Sequence, residues 1–238
     1  MARGLVATRE RARALILAGH VSVNGVVENK AGTAVDPAAK IHLRQPDHPW
    51  VGRGGLKLDD ALTAFGLDVA DAVALDIGAS TGGFTDVLLA RGARRVVALD
   101  VGEGQLDWKL RTDPRVVCLE RVNARYLEPD MLPPDLRQFD LVTIDVSFIS
   151  LRHILPVVPP LIRPCGRVVV LVKPQFEAGR GEVGAGGIVR DEAVHARVIE
   201  EVTVAAHQVG LTRLAVRPSP VTGAEGNREF LMLLAAAD

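Results

Sequence analysis

From residue 72 onward this chain alternates short apolar runs with helical stretches, and that alternation constrains its fold more than any other feature. The runs are AVALDIG (72–78), RVVALDV (95–101), RVVCLE (115–120), DLVTIDV (140–146), RVVVLVK (167–173), TRLAVRPSP (212–220) and EFLMLLA (229–235). Unbroken β-branched runs such as Val168 to Val172 suit strands covered on both faces. Strands separated by helices predict an α/β fold with a doubly wound, Rossmann-like parallel sheet. The last two runs have no helix between them and are expected as an antiparallel pair at one edge. Ahead of the first run, GGLKLDDALTAFGL reads as a helix with Leu58, Ala61, Leu62 and Phe65 on its inner face.

In open parallel sheets, ligands bind in the crevice outside the carboxyl ends of the strands. Four polar residues near strand ends therefore stand out: Asp76, Asp100, Asp145 and Lys173. Taken alone, each is an ordinary solvated strand end, and a lysine can lay its stem on apolar surface with its ammonium in water. The first strand, however, runs into DIGASTGGFTDVLLARG. Gly78, Gly82 and Gly83 let the backbone turn tightly and approach a ligand, and a helix from near Phe84 sends Val87, Leu88 and Leu89 into the core. The spacing is not the G-x-G-x-x-G dinucleotide fingerprint, which argues against a nicotinamide enzyme. Asp100 follows the glycines by about 20 residues, where an acid can accept both hydroxyl protons of a ribose. The stretch GRGEVGAGG (179–187) reads equally as a mobile lid or as an ordinary connection.

The amino-terminal part differs in charge. Residues 1–57 carry nine Lys and Arg against four acids, a net of +5, whereas 58–238 carry 19 against 25, a net of −6. A basic segment on an acidic body suggests a polyanion-binding module. In VATRERARALILAGHVSVNGVV, Thr8 can cap a helix with Ala12, Leu15 and Ile16 on one face, Arg9 and Arg13 on the other, and Gly19 as its stop. Asn24-Gly25 then signals a hairpin. RQPDHPWVGRGG is rich in Pro and Gly and reads as a linker, with Trp50 expected as a packing anchor rather than a base-stacking platform. The expected division is a module over 1–45, a linker over 46–55 and a larger domain over 56–238.

Composition narrows the class further. A content of 48% hydrophobic and 24% charged residues is that of a soluble globular chain. Cys118 and Cys165 have neither the number nor the spacing for a disulfide framework or a zinc site, so no metal is expected. The start lacks a signal-peptide core, and no apolar run approaches the roughly 20 residues that span a bilayer. A cytoplasmic location without stable membrane insertion is expected; oligomeric state is not legible.

Several motifs resemble known families. TRERARALILAGHVSVNG resembles the S4 RNA-binding domain, which implies RNA contacts from Arg3, Arg9, Arg13 and Lys30; such a domain normally has a further helix before RGL, so it is expected to be incomplete at its start. DIGASTGGFTDVLL resembles the glycine-rich motif of the S-adenosylmethionine-dependent methyltransferases. That resemblance implies a cofactor site of Asp76 (near the methionine amino group), Gly78, Ala79, Ser80, Thr81, Gly82, Gly83, Phe84, Asp100 and Val101. Asn123 in ERVNAR would flank the adenine, or simply form a turn.

The ribose 2′-O-methyltransferases, FtsJ-like enzymes, use a lysine, aspartate, lysine, glutamate tetrad, which falls here on Lys57 in RGGLKL, Asp145 in TIDVSFIS, Lys173 in LVKPQFEAG and Glu229 in GNREFLML. With GQLDWKLRTDPRV and DVSFISL added, nearly the whole chain resembles the TlyA family of S4-fused ribosomal RNA 2′-O-methyltransferases, also called haemolysin A-like proteins. The resemblance implies methyl transfer from S-adenosylmethionine to a ribose 2′-hydroxyl, with ribosomal RNA or ribosomal subunits as partners. A ribose hydroxyl scarcely ionises at neutral pH, so such an enzyme must supply a base and in-line alignment. Lys173 can be that base if burial, Lys57 and the sulfonium charge favour its neutral form; Asp145 and Glu229 favour the charged form and would orient it. The rival readings are a non-catalytic RNA-binding or ribosome-assembly factor and a membrane-active haemolysin, which the intact tetrad and the lack of a spanning segment respectively disfavour.

Overall fold

The computed structural model describes residues 3, 5–6, 9–17, 19–43, 48–179, 181–223 and 226–236. The chain forms two units, Met1–Pro49 and Trp50–Asp238. In the first, helix α1 (Arg9–Leu17) ends where Gly19 takes φ 70° and donates to the Ile16 carbonyl. Three short strands follow, β1 (Val21–Val23), β2 (Val26–Glu28) and β3 (Ile41–Leu43), in the antiparallel order β2-β1-β3. Asn24 (φ 49°) and Gly25 (φ 87°) close the β1–β2 hairpin, as the dipeptide signalled. The Asn24 side chain also accepts from Lys40 N at 2.8 Å, tying the hairpin to the start of β3, a strand too short to be read from its sequence. Leu15 and Val21 are buried, while Arg9, Arg13 and Lys30 are exposed. Thr8, the expected helix cap, lies outside the described residues, as does the 44–47 part of the expected linker.

The second unit follows the alternation of its apolar runs. Its elements are α2 (Gly54–Ala64), β4 (Val73–Ile77), α3 (Gly83–Ala90), β5 (Arg95–Leu99), α4 (Trp108–Arg111), β6 (Val116–Leu119), β7 (Phe139–Ile144), β8 (Ile162–Val172), α5 (Pro174–Glu177), α6 (Glu192–Gln208), β9 (Leu211–Pro218) and β10 (Phe230–Ala236). The sheet order is β6-β5-β4-β7-β8-β10-β9. Neighbours from β6 to β8 are parallel, whereas β10 runs antiparallel to both β8 and β9. The expected edge pair is present, with β10 inserted between β8 and β9. Because strand side chains alternate between faces, Val168, Val170 and Val172 pack with Val198 and Val202 of α6, while Val169 and Leu171 pack in the cluster of Leu58 and Leu62 of α2 and Leu88 of α3.

β8 starts five residues before the apolar run suggested. Pro164 and Gly166 break the pattern there, and the chain absorbs them as an irregularity: Cys165 takes φ 64°, and β8 advances from Ile162 to Arg167 while β7 advances only from Phe139 to Leu141. The glycine-rich 179–187 stretch is tied down at several described positions. Glu182 accepts from Gly179 N and pairs with Arg197 of α6, and Asn227 Nδ2 donates to the Gly187 carbonyl. Those ties favour the connecting-loop reading over the lid. The sequence reverses direction on either side of β4, toward β5 one way and β7 the other, and a crevice opens outside strand ends at such a switch point.

Candidate active site

At the end of β4 the chain needs a glycine for two reasons. Gly78 has φ 84°, and a Cβ built on it would lie 2.4 Å from the Asp145 carbonyl oxygen, so any side chain would push the β4 and β7 ends apart. Gly78 N and Ala79 N both donate to the Leu99 carbonyl (2.8 and 3.0 Å), and Asp145 N donates to that of Ile77 (2.9 Å). The ends of β4, β5 and β7 are thereby fixed relative to one another. Gly82 (φ 95°) precedes α3, and a Cβ there would lie 2.2 Å from Leu110 Cδ1.

Asp100, just past β5, accepts one backbone N–H on each carboxylate oxygen, from Ser80 and from Gly102, both at 2.7 Å. Its orientation is fixed while further lone pairs stay available to a ribose. A cavity of about 460 Å³ opens beside it, with Gly78, Ser80, Val101, Asn123 and Phe148 among its walls. Asn123 serves as turn former as well as wall, since its side chain accepts from Arg125 N at 3.0 Å. An adjoining cavity of about 200 Å³ is lined by Ala79, Thr81, Gly83, Phe84 and Lys173, and Asp145 and Ser147 belong to both. Gln105 is a wall residue that sequence reasoning missed. Its amide accepts from Ser80 Oγ at 3.3 Å and occupies the space a Cβ on Gly102 would need.

Asp76 departs from expectation. It lines neither cavity: its fully buried carboxylate accepts from Thr85 Oγ1 (2.7 Å) and Thr143 Oγ1 (2.9 Å). Burial outweighs those two hydrogen bonds and pushes its pKa up to about 6. One residue from the end of β4, its side chain is held inside the sheet layer against α3 and β7, so it braces the glycine turn from behind.

The four tetrad positions form two ion pairs. Lys57, only 8% exposed on α2, has its Nζ 2.5 Å from Glu229 Oε2. Lys173, 9% exposed, has its Nζ 2.6 Å from Asp145 Oδ1 and donates to Ser147 Oγ at 2.9 Å. The sheet register brings the pairs to one place. Phe230 of β10 faces Val172 of β8, so Glu229 and Lys173 flank the same rung. From the other side, a Cβ on Gly54, in the turn of α2 before Lys57, would lie 3.9 Å from Asp145 Oδ2. Gly223 leaves room for the Glu229 carboxylate, which a Cβ there would meet at 2.1 Å, and Asn227 pins the approach to β10 by accepting from Val189 N. Trp50 behaves as the packing anchor expected of it, its indole lying where a Cβ on Gly55 would be, 2.3 Å away.

A carboxylate fixed beside a cavity, a glycine turn and two buried lysine–carboxylate pairs thus lie at the strand ends. The model of the FtsJ-like methyltransferases matches residues 50–236, and that of the S4 domain matches residues 1–41. The chain belongs to the FtsJ-like methyltransferase family. Among similar proteins, the 16S/23S rRNA (cytidine-2′-O)-methyltransferase TlyA of Mycobacterium tuberculosis is 47% identical over 233 residues, covering 98% of this chain and 86% of that protein. Hemolysin A of Brachyspira hyodysenteriae is 40% identical over 228 residues, 96% of this chain and 94% of that one. A solved Streptococcus thermophilus structure whose name carries the word hemolysin superposes with a TM-score of 0.81 at 46% identity, covering 100% of this chain and 86% of that one. Among the described residues of this FtsJ-like methyltransferase, no helix is long and apolar enough to cross a membrane.

Proposed function

We propose that this FtsJ-like methyltransferase moves the methyl group of S-adenosylmethionine to a ribose 2′-hydroxyl of ribosomal RNA, with Lys57, Asp145, Lys173 and Glu229 as its catalytic group. The observation that carries the reading is the buried Lys173–Asp145 bridge bordering the cavities beside Asp100, with a second buried bridge, Lys57–Glu229, next to it across the β8–β10 register. The cavity suits the cofactor: its volume falls in the range of small-molecule sites, its glycine turn allows close backbone approach, and Asp100 keeps acceptor capacity for two ribose hydroxyls. S-Adenosylmethionine supplies the activated sulfonium methyl.

Lys173, steadied by Asp145 and Ser147, is the base in this reading and takes the hydroxyl proton on Nζ. Lys57 and Glu229, paired with each other and lining neither cavity, add a second buried ion pair next to the β8 end that carries Lys173. Phe148, 91% exposed at the cavity mouth, offers a face on which an unstacked base can lie, which suits an RNA substrate. The exposed Arg3, Arg9, Arg13 and Lys30 of the S4-like segment, which we take to extend to about residue 45, would bind the backbone of that RNA in a ribosomal subunit. Activity on ribosomal RNA fits a cytoplasmic protein.

The test is transfer of radiolabelled methyl from S-adenosylmethionine to purified unmethylated ribosomal subunits, by the native chain and by Lys173→Ala. Removing such a base is expected to cost about 10²–10⁴-fold in rate. No incorporation by a native chain that binds S-adenosylhomocysteine calorimetrically would turn the reading toward a non-catalytic RNA-binding factor.

A further inference from the structure

Glu177 is a carboxylate that methyl transfer does not use and that the fold nevertheless buries, leaving 6% exposed. It ends α5, the single turn that begins directly after Lys173. Both of its oxygens are engaged: Oε2 accepts from Ser150 Oγ at 2.5 Å and Oε1 from Leu151 N at 2.7 Å. Arg152 reinforces the joint, donating to the Glu177 carbonyl at 3.1 Å and reaching Glu201 of α6 at 3.6 Å. Burial holds the Glu177 carboxyl above the usual range against these hydrogen bonds, so the contact is kept despite a desolvation cost.

The segment that Glu177 holds is the continuation of β7 that carries Asp145 and Ser147. α5 and this segment meet at three successive points. Lys173 contacts Asp145 and Ser147, the Phe176 ring lies 5.1 Å from that of Phe148, and Glu177 takes Ser150 and Leu151. Phe176 and Glu177 lie in the single turn of α5 and Lys173 is the extended residue just before it, so five consecutive residues make all three contacts. Between the first and last lies Phe148 at φ 64°, a conformation that costs a non-glycine residue energy and persists only where its surroundings impose it. Beyond Phe148, the side-chain anchor nearest to it that joins this segment to α5 is the buried Glu177 carboxylate, with Arg152 reinforcing it from the next turn.

We infer that Glu177 is a positioning residue for methyl transfer. It fixes the 145–151 segment against α5 so that Asp145 and Ser147 hold the Lys173 amine in line with the ribose hydroxyl. This inference rests on the reading of Lys173 as base, and it adds a residue that touches neither substrate nor cofactor.

The experiment uses the full chain with Glu177→Ala, Glu177→Gln, Ser150→Ala, Lys173→Ala and the Glu177→Ala/Lys173→Ala double variant. It measures kcat and KM on ribosomal subunits, calorimetric affinity for S-adenosylhomocysteine, and thermal unfolding. Glutamine can still accept from Leu151 N and can donate to Ser150 Oγ, so Glu177→Gln should keep most of the rate. Glu177→Ala should lower kcat by about 10²-fold, the scale of a misplacement near 1 Å, with KM and cofactor affinity unchanged. Ser150→Ala should give a smaller loss of the same kind, and this variant keeps the inference testable if Glu177→Ala does not fold. In the double variant the loss should not exceed that of Lys173→Ala alone, because both act through one amine. A Glu177→Ala rate within about twofold of native, equal damage by glutamine and alanine, or additive losses in the double variant would overturn the inference. If Lys173→Ala itself keeps full activity, the base reading fails instead, and the two failures are told apart by that control.

Discussion

An Asp76→Asn variant should gain stability relative to the native chain as pH rises. Asp76 is buried between Thr85 and Thr143, and burial raises its pKa from 3.8 to about 6. A carboxyl whose folded pKa is raised contributes its full stability below the unfolded value, and that contribution disappears as pH climbs through the folded one. Well below pH 3.8 it is neutral in both states and costs nothing. At pH 5 the preference of the unfolded chain for releasing the proton amounts to about 1.6 kcal/mol, and at pH 7.5 to about 3 kcal/mol, at 1.36 kcal/mol per tenfold. Asparagine does not titrate, so any change in its hydrogen bonds to the threonines shifts the variant by a constant. The difference between variant and native unfolding free energy should therefore grow by about 1.4 kcal/mol from pH 5 to pH 7.5. Urea unfolding of both proteins at several pH values, following the main transition of the Trp50–Asp238 unit, measures that slope. Parallel curves would mean that Asp76 keeps an ordinary acidity, and the account of it as a brace behind the glycine turn would fall with them.

Lys57→Met strands Glu229 in a buried site without its cation and should destabilise the unit by about 3–5 kcal/mol, while Lys57→Met/Glu229→Leu recovers most of that loss and stays inactive; a double variant as unstable as the single would refute the pairing. Gly78→Ala combines the strain of φ 84° with a clash against the Asp145 carbonyl, and calorimetry should find S-adenosylhomocysteine bound at least about tenfold more weakly, from strain of about 1–3 kcal/mol. Replacing Arg9 and Arg13 by alanine should reduce the salt dependence of ribosomal-subunit binding by a slope of about one per lost phosphate contact, with cofactor affinity untouched; an unchanged slope would remove the S4-like segment from RNA binding.

Elements whose side chains were decided by their own neighbourhood were legible in the sequence. The parallel strands β4, β5 and β7 are mostly apolar runs because each is buried within the sheet, and the Asn24-Gly25 turn was legible because few other dipeptides accept two positive φ values. β8 was legible only in part. Its first five residues, Ile162 to Gly166, contain a proline and a glycine, and their strand pairing depends on the facing edge of β7, which no local pattern encodes. β10 was found as a strand, but its insertion between β8 and β9 comes from pairings distant in the chain.

The active site divides in the same way. Lys173 drew notice because it ends an apolar run, and Lys57 sits one turn before Ala61 on the inner face of α2, a charge within an apolar stripe. Each lysine breaks a local pattern and so leaves a local trace. The bond between Lys57 and Glu229 leaves none, since 172 residues separate the partners and only the packing of α2 on the face of β10 brings them together. Asp76 shows the opposite failure. Its place in the glycine motif suggested a cofactor contact, but Thr85 and Thr143 turn its carboxylate inward, and those threonines come from different elements. Glu177 was passed over although it stands four residues after Lys173, because an acid after a short turn looks like any solvated helix end. What marks it is burial and the two donors it captures, and both exist only once β7 and β8 lie side by side. A residue that touches substrate tends to interrupt its own element, whereas one that holds such a residue in place can be ordinary in sequence and distinctive only in the folded chain.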